Sequence, residues 1–243
     1  MSPRVIPRAS RPSPEGAFEV AMSLGQTLPG KLGFICHRKL KRRFCQRAQD
    51  TFAQVLADTG PGDLCIDLGA NMGAVTKVMA GTGADVISFE PDPVTFGMLR
   101  DAVGDAPNVT LHQKAAGGRA DQLRLHRSAK WSADDPTQHN ASASLVRNDD
   151  GFGGENSVLV DVVDIPAFLS DLDRDVRILK MDIEGSEWEL MEALIAHPVL
   201  SRIDCIFVET HERVDPARYI PVFNRLQAYA ESIERPYINL YWV

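Results

Sequence analysis

Beyond Pro61-Gly62 the chain is written as short apolar runs alternating with longer amphipathic stretches. That alternation constrains the fold more than any other feature. A strand inside a parallel sheet is buried on both faces and reads as a continuous apolar run, whereas the helix crossing back over the sheet reads with helical period. The runs Leu64–Leu68, Asp85–Phe89, Val109–His112, Val176–Met181 and Ile203–Val208 are the expected strands. The expectation is an α/β fold: a doubly wound, mostly parallel sheet of the seven-stranded type, with helices on both faces and Rossmann-like connections. In such a sheet ligands bind beyond the carboxyl ends of the strands, so functional residues are sought there.

The rest of the chain divides by composition. Residues 1–14 hold prolines and arginines with few large apolar side chains, and are expected to form a disordered tail. Residues 15–60 read as a basic helical extension broken at Leu28-Pro29-Gly30. Phe44, Ala48, Phe52 and Val55 fall on one helical face, and Lys39, Lys41, Arg42 and Arg43 crowd the other. Residues 61–243 make the expected main domain, carrying a 122–163 insertion in which Leu123-Arg124-Leu125 and Val158-Leu159-Val160 alternate around a polar, glycine-rich segment. So long an irregular segment is functional or disordered. Trp131, His139, Asn140, Ser142 and Ser144 combine an aromatic ring with short polar groups, as a carbohydrate-binding lid would.

The formal net charge of −7 hides an asymmetry, because residues 1–50 carry ten Lys/Arg against three Asp/Glu and the remainder sixteen against thirty. A basic extension suits nucleic acid, anionic lipid or an acidic partner, or is simply a solvated face attracted to the acidic body. The solvated face is the reading adopted, and no nucleic-acid partner is expected. Cys36, Cys45, Cys65 and Cys205 form no pair with zinc-like or redox spacing and read as reduced thiols. No apolar run is long enough to span a bilayer and the amino terminus lacks a secretory core, so a cytoplasmic protein with no membrane span is expected.

The first expected strand ends in Asp67-Leu68-Gly69-Ala70-Asn71-Met72-Gly73, a glycine-punctuated turn into a short helix from Ala74 to Ala80. A dinucleotide site wants Gly-x-Gly-x-x-Gly, and here Asn71 and Ala74 stand where the second and third glycines belong. Gly69 and Gly73 would let a ligand approach the backbone, and Asp67 would hold a ligand amine or an ordered water. The second strand closes with Glu90, a carboxylate able to accept hydrogen bonds from both hydroxyls of a ribose. Asp92 then caps a helix with Pro93 in its first turn.

These blocks, together with Leu179-Lys180-Met181-Asp182-Ile183-Glu184-Gly185-Ser186-Glu187 and Val208-Glu209-Thr210-His211, resemble in order and spacing the FkbM-type methyltransferases over roughly residues 60–212. The resemblance implies a class I methyltransferase fold with S-adenosylmethionine as donor, S-adenosylhomocysteine as product, and Asp67, Gly69, Ala70, Asn71, Gly73 and Glu90 around the cofactor. It also implies O-methylation of a sugar, a glycoconjugate or a polyketide-like natural product, so a small-molecule or glycan acceptor is the expected partner. The basic extension lies outside the family core. Two alternatives stand beside this reading: a nucleotide-sugar- or NAD(P)-binding oxidoreductase on the same fold, and an inactive cofactor-binding module.

Methyl transfer to an alcohol needs alignment and a group to take the hydroxyl proton. Asp182 and Glu184, two apart at the end of the fourth strand, and Glu209 and His211, two apart at the end of the fifth, are the expected catalytic set. If the fourth strand continues past Met181, its two carboxylates share a face. Asp182, Glu209 and His211 could instead ligate a divalent cation, although the metal-free base is the favoured version. Ser186 is expected to cap the next helix, and Glu187 to serve as a helix-start carboxylate rather than a catalyst. His37, His112, His126 and His197 are given structural roles.

Overall fold

The computed structural model describes residue 4 and residues 6–28, 30–128, 145 and 152–242. Trp131, His139, Asn140, Ser142 and Ser144, the suggested lid, lie outside the described residues. Two helices come first, α1 (Gly16–Gly25) and α2 (Gly30–Ala57), followed by β1 (Leu64–Leu68), α3 (Ala74–Ala80), β2 (Asp85–Phe89), α4 (Pro93–Val103) and β3 (Val109–His112). A second group comprises β4 (Ala115–Gly117), β5 (Asp121–Ser128), β6 (Phe152–Asp164) and α5 (Ile165–Asp171). The chain then returns through β7 (Val176–Met181), α6 (Glu187–Ala196), β8 (Ile203–Val208), α7 (Pro216–Ser232) and β9 (Tyr237–Asn239).

The main sheet has the order β3-β2-β1-β7-β8-β9, and every pairing in it is parallel. All five expected strands form with the expected bounds. The sheet is six-stranded rather than seven-stranded, because among the described residues a single three-residue strand, β9, follows α7. The order reverses direction between β1 and β7, so the two halves open a crevice at their carboxyl ends.

The insertion supplies most of a second sheet, β4-β6-β5, in which β5 and β6 pair antiparallel and β4, which precedes the insertion, joins β6 in parallel. Its alternation is genuine: Leu125 and Val160 point into a small core while Leu123 and Leu159 are exposed. Arg127 of β5 pairs with Asp92, the residue that caps α4 through the N–H groups of Val94 and Thr95, so the second sheet is tied to the end of β2.

The amino-terminal region is more integrated than its composition suggests. Leu40, Phe44, Ala48 and Val55 of α2 are buried in the main core. Within the stretch expected to be disordered, the described residues make specific contacts. Arg4 pairs with Asp63 and Asp204, Ile6 packs against the core, and Arg11 donates to Ser23. The Arg4 head finds two carboxylates of the acidic body, which composition alone does not show. No helix among the described residues is long and apolar enough to cross a membrane.

Candidate active site

The crevice is built by backbone steps between neighbouring strands. Each residue that closes a strand donates its N–H to the strand beside it: Glu90 to the His112 carbonyl, Asp182 to that of Leu68 and Glu209 to that of Met181. Three carboxylates are thereby fixed along one edge. A cavity of about 290 Å³ opens there, with Gly69, Asn71 and Glu90 on its wall together with Asp182, Glu184, Glu209 and Arg213. The second sheet completes it with Ala115, Ala116 and Leu125, joined by Leu145.

Glu90 is buried, and its two oxygens accept from the N–H groups of Asn71 (2.9 Å) and Asp92 (2.9 Å). Burial pushes its pKa up to about 7, against those two hydrogen bonds, which pull the other way. Each oxygen keeps a lone pair, so the carboxylate can still accept from a ligand in the cavity. Asn71 adopts a left-handed φ of 49°, and its buried amide oxygen has no hydrogen-bond partner among the described residues. An orphaned buried acceptor beside a cavity is a place for a ligand donor.

Other members of the expected cofactor set face inward. Asp67 is fully buried, accepts from Thr76 Oγ1 at 2.7 Å and lies 3.1 Å from Lys180 Nζ. Its contacts hold β1 to α3 and β7. The glycines answer to protein atoms: at Gly69 (φ +77°) a Cβ would fall inside the Asp182 carbonyl, and at Gly73 (φ +85°) it would press on Leu99. Of these two, only Gly69 also lines the cavity, and Ala70 contributes its N–H to the Phe89 carbonyl.

The catalytic half differs in detail from the sequence expectation. Strand β7 stops at Met181, so Asp182 and Glu184 do not share a strand face; Glu184 turns with φ 50° and Gly185 with φ 111°. That turn still delivers both carboxylates to one imidazole. His211 Nε2 lies 3.4 Å from Glu184, 3.8 Å from Asp182 and 3.9 Å from Glu209. The ligand atoms of Asp182, Glu184 and His211 all lie within 4.8 Å of one another, so the tightest set for a cation has Glu184 where the sequence reading put Glu209.

Glu187 is the residue sequence reasoning undervalued. It does begin α6, but its fully buried carboxylate accepts from the Gly185 N–H at 2.7 Å and the His211 N–H at 2.7 Å, with His211 Nδ1 3.2 Å away. One side chain thus ties the turn after β7 to the turn after β8 and orients the imidazole. Ser186, expected as a cap, makes no capping hydrogen bond. Burial alone would lower the His211 pKa. The bond to Glu187 and the charges of Glu187, Glu184 and Asp182 outweigh burial and lift it to about 9. His211 is therefore a cation at neutral pH, and a carboxylate is the better proton acceptor. Burial raises Glu184 to about 7 and also raises Glu209, helped in each case by the neighbouring Asp182 charge.

Two more cations serve the site. Lys180, one of two buried cations in β7 beside Arg177, donates to the Gly69 carbonyl at 2.6 Å and stands 3.9 Å from Asp182. Burial opposes its charge, but Asp67 and Asp182 hold its pKa above the ordinary value. Lys41 of α2, expected on the solvated side, instead reaches the β8 turn, donating to the Thr210 carbonyl (2.6 Å) and to Glu212 (3.0 Å). Glu212 also bonds His37 Nε2 at 2.8 Å. Of the other histidines given structural roles, His112 stacks on Phe89 and His197 accepts from the Val199 N–H, whereas the buried Nδ1 of His126 has no hydrogen-bond partner among the described residues.

The parallel sheet, its β1/β7 switch point and the acidic strand ends define a methyltransferase-type Rossmann-like α/β protein. The chain belongs to the FkbM methyltransferase family: the family profile described as "Methyltransferase FkbM domain" matches residues 67–227. The chain is similar to the hexuronic acid methyltransferase AglP of Haloferax volcanii, with 23% identity over 69% of this chain and 64% of that protein. It is also similar to the ribosomal RNA small subunit methyltransferase A of Thermotoga neapolitana, with 38% identity over 23% of this chain and 21% of that one. The crystal structure of a methyltransferase FkbM from Methylobacillus flagellatus KT aligns at 20% identity with a TM-score of 0.35, covering 58% of this chain and 30% of that chain. In each case the match spans less than two thirds of the relative's length.

Proposed function

We propose that the protein binds S-adenosylmethionine in the larger cavity and methylates a hydroxyl of a sugar, a glycoconjugate or a polyketide-like natural product. The observation that carries this reading is the division of one cavity between a buried strand-end carboxylate, Glu90, and a separate cluster of carboxylates, Asp182, Glu184 and Glu209. Glu90 suits the ribose hydroxyls, Asn71 with its unpartnered amide oxygen suits a donor on the amino-acid end, and Ala115, Ala116 and Leu125 offer an apolar wall to the adenine. When bound, the cofactor supplies an electrophilic methyl on a sulfonium.

The residues beyond it handle the acceptor. Glu184, raised to about 7, is the proposed base for the hydroxyl proton, with Asp182 and Glu209 beside it. Cationic His211, held by Glu187, orients these carboxylates and offsets part of their mutual repulsion. A divalent cation among Asp182, Glu184 and His211 is the alternative, polarising the same hydroxyl. A sugar acceptor is supported by the name of the Haloferax relative, a hexuronic acid methyltransferase. Membership in a methyltransferase family and the glycine pattern of the β1 turn both favour this reading over a nicotinamide enzyme.

Isothermal titration with S-adenosylhomocysteine and with NAD(H) tests the cofactor, and mass spectrometry of a panel of glycosides and hydroxylated natural products tests the transfer. Binding of S-adenosylhomocysteine and a single added methyl on one acceptor are the expected results. Nicotinamide binding without S-adenosylhomocysteine binding would remove the proposal.

A further inference from the structure

A second cavity of about 190 Å³ lies on the other side of the turn after β8, lined by Phe34, Arg38, Lys41, Arg42 and Cys45 of α2 and by Thr210, Glu212 and Arg213. On α2, positions 34, 38, 41, 42 and 45 recur at helical spacing and so share one face. The backbone from Glu209 to Arg213 is the partition between the two cavities, and Arg213 contributes to both.

The charges around this second cavity do not balance. Its one carboxylate, Glu212, is already engaged by His37 and Lys41, and is held down to about 2 by those partners although burial opposes it. Lys41 is spent on Glu212 and Thr210. Arg38 and Arg42 are exposed, and no carboxylate among the described residues forms an ion pair with either; Arg213 is exposed too, and its charge also acts on Glu184 in the first cavity. Arg38 lies over the half-buried ring of Phe34, 5.8 Å from its centroid. Two guanidinium groups without a carboxylate partner, a third shared with the first cavity, and an aromatic ring thus rim a mostly apolar pocket of monosaccharide scale, an arrangement suited to an anion carried on a ring.

Building on the sugar-methylation reading, we propose that this second cavity is an acceptor subsite that takes a carboxylate or phosphate group of an acidic sugar. Arg38, Arg42 and Arg213 hold the anion while the hydroxyl to be methylated reaches past Arg213 to Glu184 and Glu209. The basic face of α2 is then a specificity element and not a merely solvated surface. An extended nucleic acid fits less well, because the carboxylates of Asp182, Glu184 and Glu209 next door would repel a continuing phosphodiester chain.

Cys45 gives a reporter. It lines the subsite and is partly accessible, whereas Cys36, Cys65 and Cys205 are buried. With the full chain, S-adenosylhomocysteine affinity is measured first, which scores the cofactor reading by itself. D-glucuronate, D-glucose 6-phosphate and D-glucose are then compared by titration and by their slowing of Cys45 alkylation, the first two separating carboxylate from phosphate. We expect at least one anionic sugar to bind about tenfold or more tightly than glucose and to protect Cys45. The R38A/R42A variant, folded by its melting curve, should lose that difference. Equal binding of all three sugars, discrimination retained in the folded variant, or tighter binding of an oligoribonucleotide than of either acid would overturn the subsite. Failure of S-adenosylhomocysteine to bind would instead count against the cofactor reading.

Discussion

Glu90 shows how one side chain serves fold and ligand together. Its oxygens hold the Asn71 and Asp92 N–H groups, so it shapes the turn after β1 and the start of α4 while also lining the cavity. Replacing it with Ala should weaken S-adenosylhomocysteine binding by about 1.5–3 kcal/mol, the range for a lost hydrogen bond to a charged group, as read by titration on protein with an intact circular dichroism spectrum. The pH dependence has a definite sign. Burial raises free Glu90 to about 7, and ribose hydroxyls favour the carboxylate, so affinity should rise as pH increases from 6 to 8. A flat profile would mean that Glu90 does not meet the ribose. Asp182 is the complementary case, since its side chain lines the cavity and stands 3.8 Å from His211 in the carboxylate cluster. Asp182→Asn should lower turnover by roughly 10²-fold with little change in cofactor affinity. Activity indifferent to EDTA would support the side-chain base, and activity lost to EDTA and restored by Mg²⁺ or Mn²⁺ would support the cation.

Among the elements, α2 carries the most informative disagreement between sequence and structure. Its charge count and its position ahead of the matched 67–227 region mark it as an appendage, yet Leu40, Phe44, Ala48 and Val55 lie in the same core as β1, β7 and β8. Burying each of the larger of these side chains contributes about 1.5–3 kcal/mol, so together they approach the whole stability of a typical domain. A chain beginning at residue 61 should therefore be insoluble or melt without cooperativity; a soluble fragment with a sharp transition would show that α2 is dispensable. The apolar face of α2 was legible because periodicity reports burial. The reach of Lys41 to Thr210 was not, because a long side chain can leave its helix face for a partner far along the chain. The same distinction runs through the sheet. Strands β1, β2, β3, β7 and β8 were legible to the residue because each is a short, mainly apolar run bounded by turn or helix signals, and β1, β7 and β8 are buried along their whole length. The single short β9 depends on pairing, which no local pattern encodes. At the site, Glu90 and the β7 and β8 carboxylates were legible as strand-end acids. Glu187 was not, since its helix-start position offered a sufficient local explanation while its actual partner, His211, comes from another loop. Lys180 did leave a signal, a charge inside a wholly buried strand, which has few explanations other than a buried ion pair.

At the scale of the whole molecule, the buried titratable groups push stability in one direction across most of the pH range. Glu90 and Glu184 have ordinary values of 4.5 and are raised to about 7 in the folded chain. Between those values the folded state keeps protons that the unfolded chain has released, so stability falls as pH rises. His211 is raised from 6.5 to about 9, and its contribution is fully present below 6.5 and lost as pH climbs through 9. Glu212 acts at the other end: lowered from 4.5 to about 2, it stabilises the fold above 4.5 and ceases to do so as pH falls toward 2. The windows leave a maximum just above the Glu212 range. The unliganded protein should therefore melt highest near about pH 5 and lose more than about 5 °C by pH 9, when scanned in EDTA so that no cation bridges Asp182, Glu184 and His211. His211→Gln isolates the alkaline limb, because it removes the titrating imidazole while the Glu187 bond to the backbone N–H of residue 211 is kept. Its melting temperature should vary less between pH 7 and 9 than that of the parent chain. A parent profile that is flat or rises toward pH 9 would show that the carboxylates around His211 do not hold it as a cation, and the proposed division of labour between Glu184 and His211 would fall with it.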